Sequence, residues 1–207
     1  MTALSKSQRR WLDIASRALA ALGFAYLLWR AALENLAGRR PLLFLLVGEA
    51  LTLVLVVIAR PTDEVDRRLQ PAILTFFGTF YFSFVDVAPG GVLIPVLAGQ
   101  SLQVIGIAFQ VAAKLWLGRS FGLLPANRGI VTKGPYRLVR HPIYLGYFLN
   151  HVGFLLVNFS FRNLMVYAWL YAIQIARIFE EEKLLFEDAQ YRAYAERVRY
   201  RFIPLAF

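Results

Sequence analysis

Six stretches of the chain, residues 12–33, 41–59, 71–88, 92–117, 142–158 and 162–180, are apolar over close to the length that crosses a bilayer as a helix. Backbone in hydrocarbon must satisfy its own N–H and C=O groups, which helices do within one segment. The pattern therefore predicts an all-α integral membrane fold with about six transmembrane helices. Composition agrees, since 58% of the 207 residues are hydrophobic and only 17% are charged, against about 25% charged in a soluble domain. No Ser/Gly/Pro-rich linker interrupts the apolar runs and there is no internal repeat, so residues 1–207 read as a single membrane domain. The fifth run is short for a crossing, and spans five and six can instead form a tight helical hairpin around NFSFRN.

The formal charge of +10 does not indicate nucleic acid, because the basic residues lie between apolar spans and not on one soluble face. Anionic membrane lipids are the simpler partner. Arg60, Arg67 and Arg68 lie in the second connection, Arg119, Arg128, Lys133, Arg137 and Arg140 in the fourth, and the tail after residue 180 is also basic. The third connection, VAPGGV, is uncharged and the fifth carries only Arg162. This bias places both termini in the cytoplasm, with Arg39 and Arg40 in the first connection running against it beside Glu34. Lys6, Arg9, Arg10, Asp13 and Arg17 precede no small-residue cleavage site, so the N-terminus is expected to be retained. The absence of cysteine excludes disulfides and thiolate chemistry, and two histidines alone cannot hold zinc. In the tail, Leu184, Leu185, Tyr191, Tyr194 and Val198 recur at near-helical spacing, which predicts an amphipathic helix on the cytoplasmic interface.

Polar side chains inside apolar spans need partners or a cavity. In span four, Gln100, Gln103, Gln110 and Lys114 share one face, and in span six Asn163, Tyr167, Tyr171, Gln174, Arg177 and Glu181 do the same. Tyr144, Tyr147, His151 and Asn158 form a third stripe on span five. These faces point toward protein or water, either lining one pocket or making ordinary interhelical hydrogen bonds. Arg177 and Glu181 are also spaced for an intrahelical pair. His151 reads as a hydrogen-bonded packing residue before it reads as a base. Glu49, in mid-span, is either functional or paired with Arg17 or Arg30.

The stretch GPYRLVRHPIYLGYF carries the densest chemistry. Pro142 suits the first turn of a helix and disfavours helix at the preceding residue, so His141 sits at a cap. Free N–H groups there, with Arg137, Arg140 and His141, favour an anion. The run Glu180, Glu181, Glu182 emerges at the same level, so a ligand with both an ammonium and a carboxylate, such as an amino-acid moiety, would be gripped between the two. A positive-inside anchor beside a solvated acidic helix end accounts for the same residues.

GPYRLVRHPIYLGYF, followed by RIFEEEKLL and YRAYAERVRYRFIP and preceded by LGRSFGLL and GIVTKGPY, resembles the isoprenylcysteine carboxyl methyltransferases and their phospholipid methyltransferase relatives. The resemblance covers roughly residues 115–204. It implies an integral-membrane enzyme that uses S-adenosylmethionine without a Rossmann-like domain, and the chain has no G-x-G-x-x-G. It implies a cytoplasmic-side cofactor pocket built from Arg128, Gly129, Ile130, Val131, Tyr136, His141, Pro142, Ile143, Tyr144 and Glu181, with Arg177 catalytic beside a lipophilic or small-molecule methyl acceptor. Residues 115–207 would be the methyltransferase region and residues 1–114 would select the acceptor.

Methyl transfer is a displacement at a sulfonium carbon, so the protein supplies orientation and dryness, with no metal required. A carboxylate acceptor is already ionised and Arg177 could hold it as a fork. An amine, hydroxyl or thiol would benefit from a base, for which Glu181, Tyr144 or His151 are the candidates. A membrane reductase with a nicotinamide cofactor is a second reading, and a non-catalytic binding or transport protein with stripes lining a permeation path is a third.

Overall fold

The computed structural model describes residues 43–62, 68–86 and 90–207, with scattered helical positions between 11 and 29. Of the first expected span only these scattered positions are described, and Arg30, Arg39, Arg40, Arg67 and the side chain of Glu49 lie outside the described residues. Described elements are helical: α1 (Leu43–Ile58), α2 (Leu69–Phe80), α3 (Val96–Leu117), α4 (Pro142–Val157), α5 (Phe161–Leu185) and α6 (Ala189–Arg197). Short 3-10 turns cover Tyr81–Phe84, Gly118–Ser120 and Gly134–Arg137.

The helices run up and down between two ends. At the motif end, Arg60 N donates to Arg119 O at 2.8 Å, and Arg68 pairs with Glu180 at the close of α5. At the far end, Gly91 and Phe159 exchange backbone hydrogen bonds of 2.8 and 2.7 Å, tying the Gly-rich connection to the α4–α5 turn. The basic second and fourth connections therefore share one end, and the uncharged third and near-neutral fifth share the other.

Local chemistry sets the boundaries. Gly118 closes α3 at φ 51° and its N–H returns to Lys114 O. Pro142 opens α4 behind His141. Ser160 caps α5 by accepting from Asn163 N at 3.1 Å, and Asp188 caps α6 by accepting from Gln190 N at 2.7 Å. Arg17 donates to the carbonyl oxygens of Val56 (3.0 Å) and Val57 (2.6 Å), satisfying the last turn of α1.

Helix α3 is the one described helix that is both long and apolar enough to cross a membrane, counted as Val96–Ser120. Only 22% of its most apolar window is buried. Leu97, Ile105 and Leu115 stand exposed, as they would toward lipid and as they would not in a soluble core. The 16 residues of α4 span about 24 Å. It turns into α5 through the short connection of residues 158–160. The expected tail helix starts late. EEEKLL continues α5 as its last turns, and the separate α6 lays Tyr191, Tyr194 and Ala195 inward.

Glycine sets the closest packing. Gly99 and Gly106 on α3 face Gly153 and Gly146 on α4, each pair seven residues apart. A Cβ on Gly106 would lie 2.5 Å from Asn150 N and 2.7 Å from Gly146 O. One on Gly153 would lie 2.7 Å from Gly99 O. The two backbones touch, as small residues permit between membrane helices. Gly106→Ala is expected to cost about 1–3 kcal/mol by overpacking, seen as a melting temperature lowered by several degrees in detergent. Gly23→Ala, with nothing within 4 Å of the added carbon among the described residues, is the matched control. Equal melting of the two variants would contradict the backbone contact.

Candidate active site

The three glutamates near the end of α5 are adjacent in sequence, and 100° per residue sends them in three directions. Glu180 takes Arg68 and Lys183. Glu181 accepts from Tyr144 Oη at 2.9 Å and lies 3.5 Å from His141 Nδ1. Glu182 is the hub: Arg140 Nε approaches its Oε1 at 2.8 Å, Arg201 Nε donates to Oε2 at 2.9 Å, and Tyr191 Oη donates at 3.3 Å. His141 Nε2 lies 3.3 Å from the same Oε1. The side chains of Glu180 and Glu182 are each 4% exposed, whereas that of Glu181 is 20% exposed. Of the three, Glu181 is the carboxylate open to a ligand.

His141 links the two inner carboxylates. Burial alone would depress its pKa, but hydrogen bonds to Glu181 and Glu182 and their charges raise it above the ordinary 6.5. Burial likewise opposes ionisation of both acids, and it is overcome. For Glu181, the bond and charge of His141, then Arg177 and Tyr144, hold the pKa below the usual carboxylate range. For Glu182, the His141 bond and charge, then Arg140 and Arg201, bring it to about 2. At neutral pH both glutamates are anions, and their charge favours the cationic form of the imidazole between them.

The segment after α6 closes over this cluster. Arg140 N donates to Tyr200 O at 2.9 Å and His141 N to Arg201 O at 2.7 Å. Tyr194 Oη donates to Tyr136 O at 2.6 Å. The cap position thus has its backbone N–H engaged by the tail, and Arg140 is engaged by Glu182 and Val198 O, while Arg137 stays exposed. Arg140 is therefore a structural cation, unlike the anion-attracting role its place in the basic cluster suggested.

Arg177 does not bond to Glu181 one turn on. Its Nη2 donates to Leu123 O at 3.2 Å, its Nη1 to Gln174 Oε1 at 3.4 Å, and its guanidinium carbon sits 5.7 Å from the centre of the Tyr144 ring. Tyr144 therefore separates the exposed carboxylate from the guanidinium and touches both. Ile130, Val131 and Ile143 pack with Tyr136 on a cluster of Ala113, Tyr191, Tyr194 and Ala195. Pro142 is fully buried. Arg128 diverges from the group: its Nη1 donates to Arg60 O and its own carbonyl accepts from Ser120 Oγ. Gly129 follows at φ +100°, a conformation that favours glycine.

The polar stripes of α4 and α5 converge below this layer. His151 is bonded on both ring nitrogens, to Tyr81 Oη at 2.6 Å and Tyr171 Oη at 2.8 Å, and stacks on Tyr167 with ring centres 4.8 Å apart. It is a packing residue crossing three elements. Asn163 exchanges 2.8 Å hydrogen bonds with the backbone of Asp86. On α3, Lys114 and Gln110 are buried, with Lys114 Nζ donating to Thr52 Oγ1 at 2.7 Å, while Gln100 is exposed. Sequence reasoning missed Glu182 and Arg201 as partners. The only signal was a third glutamate next to two others, which does not say which faces inward.

A model of the phospholipid methyltransferase family matches residues 91–191. The chain is also 37% identical over 110 residues to Protein-S-isoprenylcysteine O-methyltransferase A of Arabidopsis thaliana, covering 48% of this chain and 55% of the relative. The chain thus spans about half the length of the curated relative it matches. Over residues 91–191, the stretch that carries RHPIYLG and RIFEEEKLL, the chain is similar to the phospholipid methyltransferase family.

Proposed function

We propose that the protein is an integral-membrane methyltransferase that uses S-adenosylmethionine and methylates a lipophilic or small acceptor, a carboxylate of the isoprenylcysteine kind being the best match to Arg177. The observation that carries this reading is the arrangement around Tyr144. Its hydroxyl donates to Glu181, the partly exposed member of the Glu180, Glu181 and Glu182 run, and its ring carries the Arg177 guanidinium. The motif end, with its basic connections, would face the cytoplasm.

The residues present fit the cofactor. Glu181 is an accessible carboxylate kept ionised by its neighbours, suited to an ammonium group, and Ile130, Val131, Tyr136 and Ile143 offer an apolar and aromatic wall suited to a flat base. When bound, the cofactor supplies an electrophilic methyl on a sulfonium centre. Glu181 then holds the cationic end, His141 keeps Glu181 in place, and Tyr144 fixes the distance between donor and acceptor sides. Arg177 has N–H donors beyond the two engaged by Leu123 and Gln174, and these orient an oxyanion acceptor as a fork. Such an acceptor needs no base, which agrees with His151 being bonded on both nitrogens.

Calorimetric titration of the detergent-solubilised protein with S-adenosylhomocysteine tests this. Glu181→Ala and His141→Ala are each expected to weaken binding by about 30-fold or more, the scale for truncating one partner of a buried charged pair. Wild-type affinity in both variants, or binding of a nicotinamide cofactor in its place, would sink the reading.

A further inference from the structure

The guanidinium of Arg177 is positioned by helix α2 as well as by its own helix. Gly78 is buried against it: a Cβ there would lie 3.0 Å from Arg177 Nη1, 3.4 Å from its Cδ and 3.5 Å from Ile173 Cγ2. Thr75, one turn earlier and also buried, donates its hydroxyl to Leu123 O at 3.3 Å. That carbonyl is the one accepting from Arg177 Nη2 at 3.2 Å. Its two lone pairs thus hold α2 and α5 to one loop, and the guanidinium lies in the space that the missing Gly78 side chain leaves. Glycine is unfavourable inside a helix relative to alanine, so its place here is explained by what it admits. Two of the five Arg177 N–H donors are engaged by described residues, and no described carboxylate forms an ion pair with it.

We infer that Thr75 and Gly78, outside the segment that matches the methyltransferase family, form the acceptor-side wall of the site and set where Arg177 presents its free donors to an oxyanion-bearing acceptor. Gly78 is then a specificity-determining position: bulk there moves the fork, while the cofactor residues on α4 and the end of α5 are untouched. This rests on the reading of Arg177 given above. Because α2 faces the acceptor, its substitutions act on acceptor kinetics and spare cofactor affinity.

The test is methyl transfer by the full chain in lipid nanodiscs to two probe acceptors, N-acetyl-S-farnesylcysteine and phosphatidylethanolamine, with S-adenosylhomocysteine affinity and thermal melting measured in parallel. For Gly78→Val, kcat/KM for the accepted probe is expected to fall about 10- to 100-fold, the scale of an ångström-level misplacement, with Gly78→Ala between it and the wild type. Cofactor affinity should stay within about twofold, since the α2 wall does not touch that side. Thr75→Val should lower kcat/KM and Thr75→Ser restore it. Wild-type kinetics in Gly78→Val and Thr75→Val, while Arg177→Ala is inactive, would overturn the inference and leave the function standing. Parallel loss of cofactor binding, transfer and melting temperature in Gly78→Val would also overturn it, as general packing damage. If the wild type methylates neither probe, or if Arg177→Ala transfers normally, the functional reading fails and takes the inference with it.

Discussion

Arg177→Ala is expected to reduce methyl transfer by about 10²- to 10³-fold, the cost of deleting one preorganised donor at a developing or reacting oxygen, while S-adenosylhomocysteine affinity is retained. Arg177 contacts Leu123 O, Gln174 and the Tyr144 ring, and Tyr144 in turn holds Glu181. Losing the guanidinium would remove the fork proposed for the acceptor and leave the Tyr144–Glu181 bond and the His141 contacts intact. Arg177→Lys keeps the charge but not the planar pair of donors, so it should recover only part of the rate. Initial rates at saturating cofactor, paired with titration, separate the effects. Loss of cofactor binding together with rate would move Arg177 to the cofactor side of Tyr144.

Glu182→Ala is expected to damage the fold more than any other single truncation at the motif end. It strips one acceptor from Arg140, Arg201, His141 and Tyr191 together. Arg140 is then a buried cation without its carboxylate, a change that costs about 3–5 kcal/mol. Melting should fall by about 10 °C or more at the usual scaling for a chain this size, or expression should fail. Glu182→Gln keeps the shape and supports a pH measurement. In the wild type the Glu182 contribution is full above the ordinary carboxylate range and is lost only as pH falls toward about 2. The His141 contribution has the opposite sign: full below 6.5 and lost as pH rises through its raised value. In Glu182→Gln only Glu181 remains to hold the imidazolium, so the alkaline loss of melting temperature should begin at lower pH. Superimposable melting–pH curves for the two proteins would contradict the hub role.

Much of the candidate site's local geometry was legible because its motifs are local. Pro142 after His141 announces a helix start whatever the surroundings, and the spacing of Arg177 to Glu181 places both on one side of a helix. The apolar runs likewise marked α1, α3 and α4 to within four residues, whereas α2 gives way to a 3-10 turn at Tyr81 inside the expected 71–88 span and α5 runs on past residue 180 to Leu185. What could not be read depends on pairings between distant segments. The Tyr81–His151 bond joins residues 70 apart and the Thr75–Leu123 bond residues 48 apart. Glycine spacing on α3 and α4 has meaning only once Gly106 is known to lie on Gly146, because an isolated helix gives no reason to prefer the absence of a side chain. The tail was misjudged in extent for a related reason. Its charges suggested an interfacial helix from residue 180, but Arg68, His141 and Arg140 neutralise the glutamates and let α5 run on unbroken through Leu185.

The three-way division of labour among Glu180, Glu181 and Glu182 also makes α5 intolerant of changes in length. Deleting or inserting one residue between the Ser160 cap and Glu180 would rotate everything downstream by about 100°. The chemical inventory would be unchanged, still one arginine and three acids in order, yet each acid would inherit its neighbour's address. With an insertion the Arg68 partner would swing toward His141 and Glu181 into the Arg140–Arg201 cluster, whereas with a deletion Glu181 would swing toward Arg68. Such frameshifts in space, invisible to composition, define a ruler inside the helix. Natural or engineered length variation should therefore collect in the connections and not between residues 161 and 182.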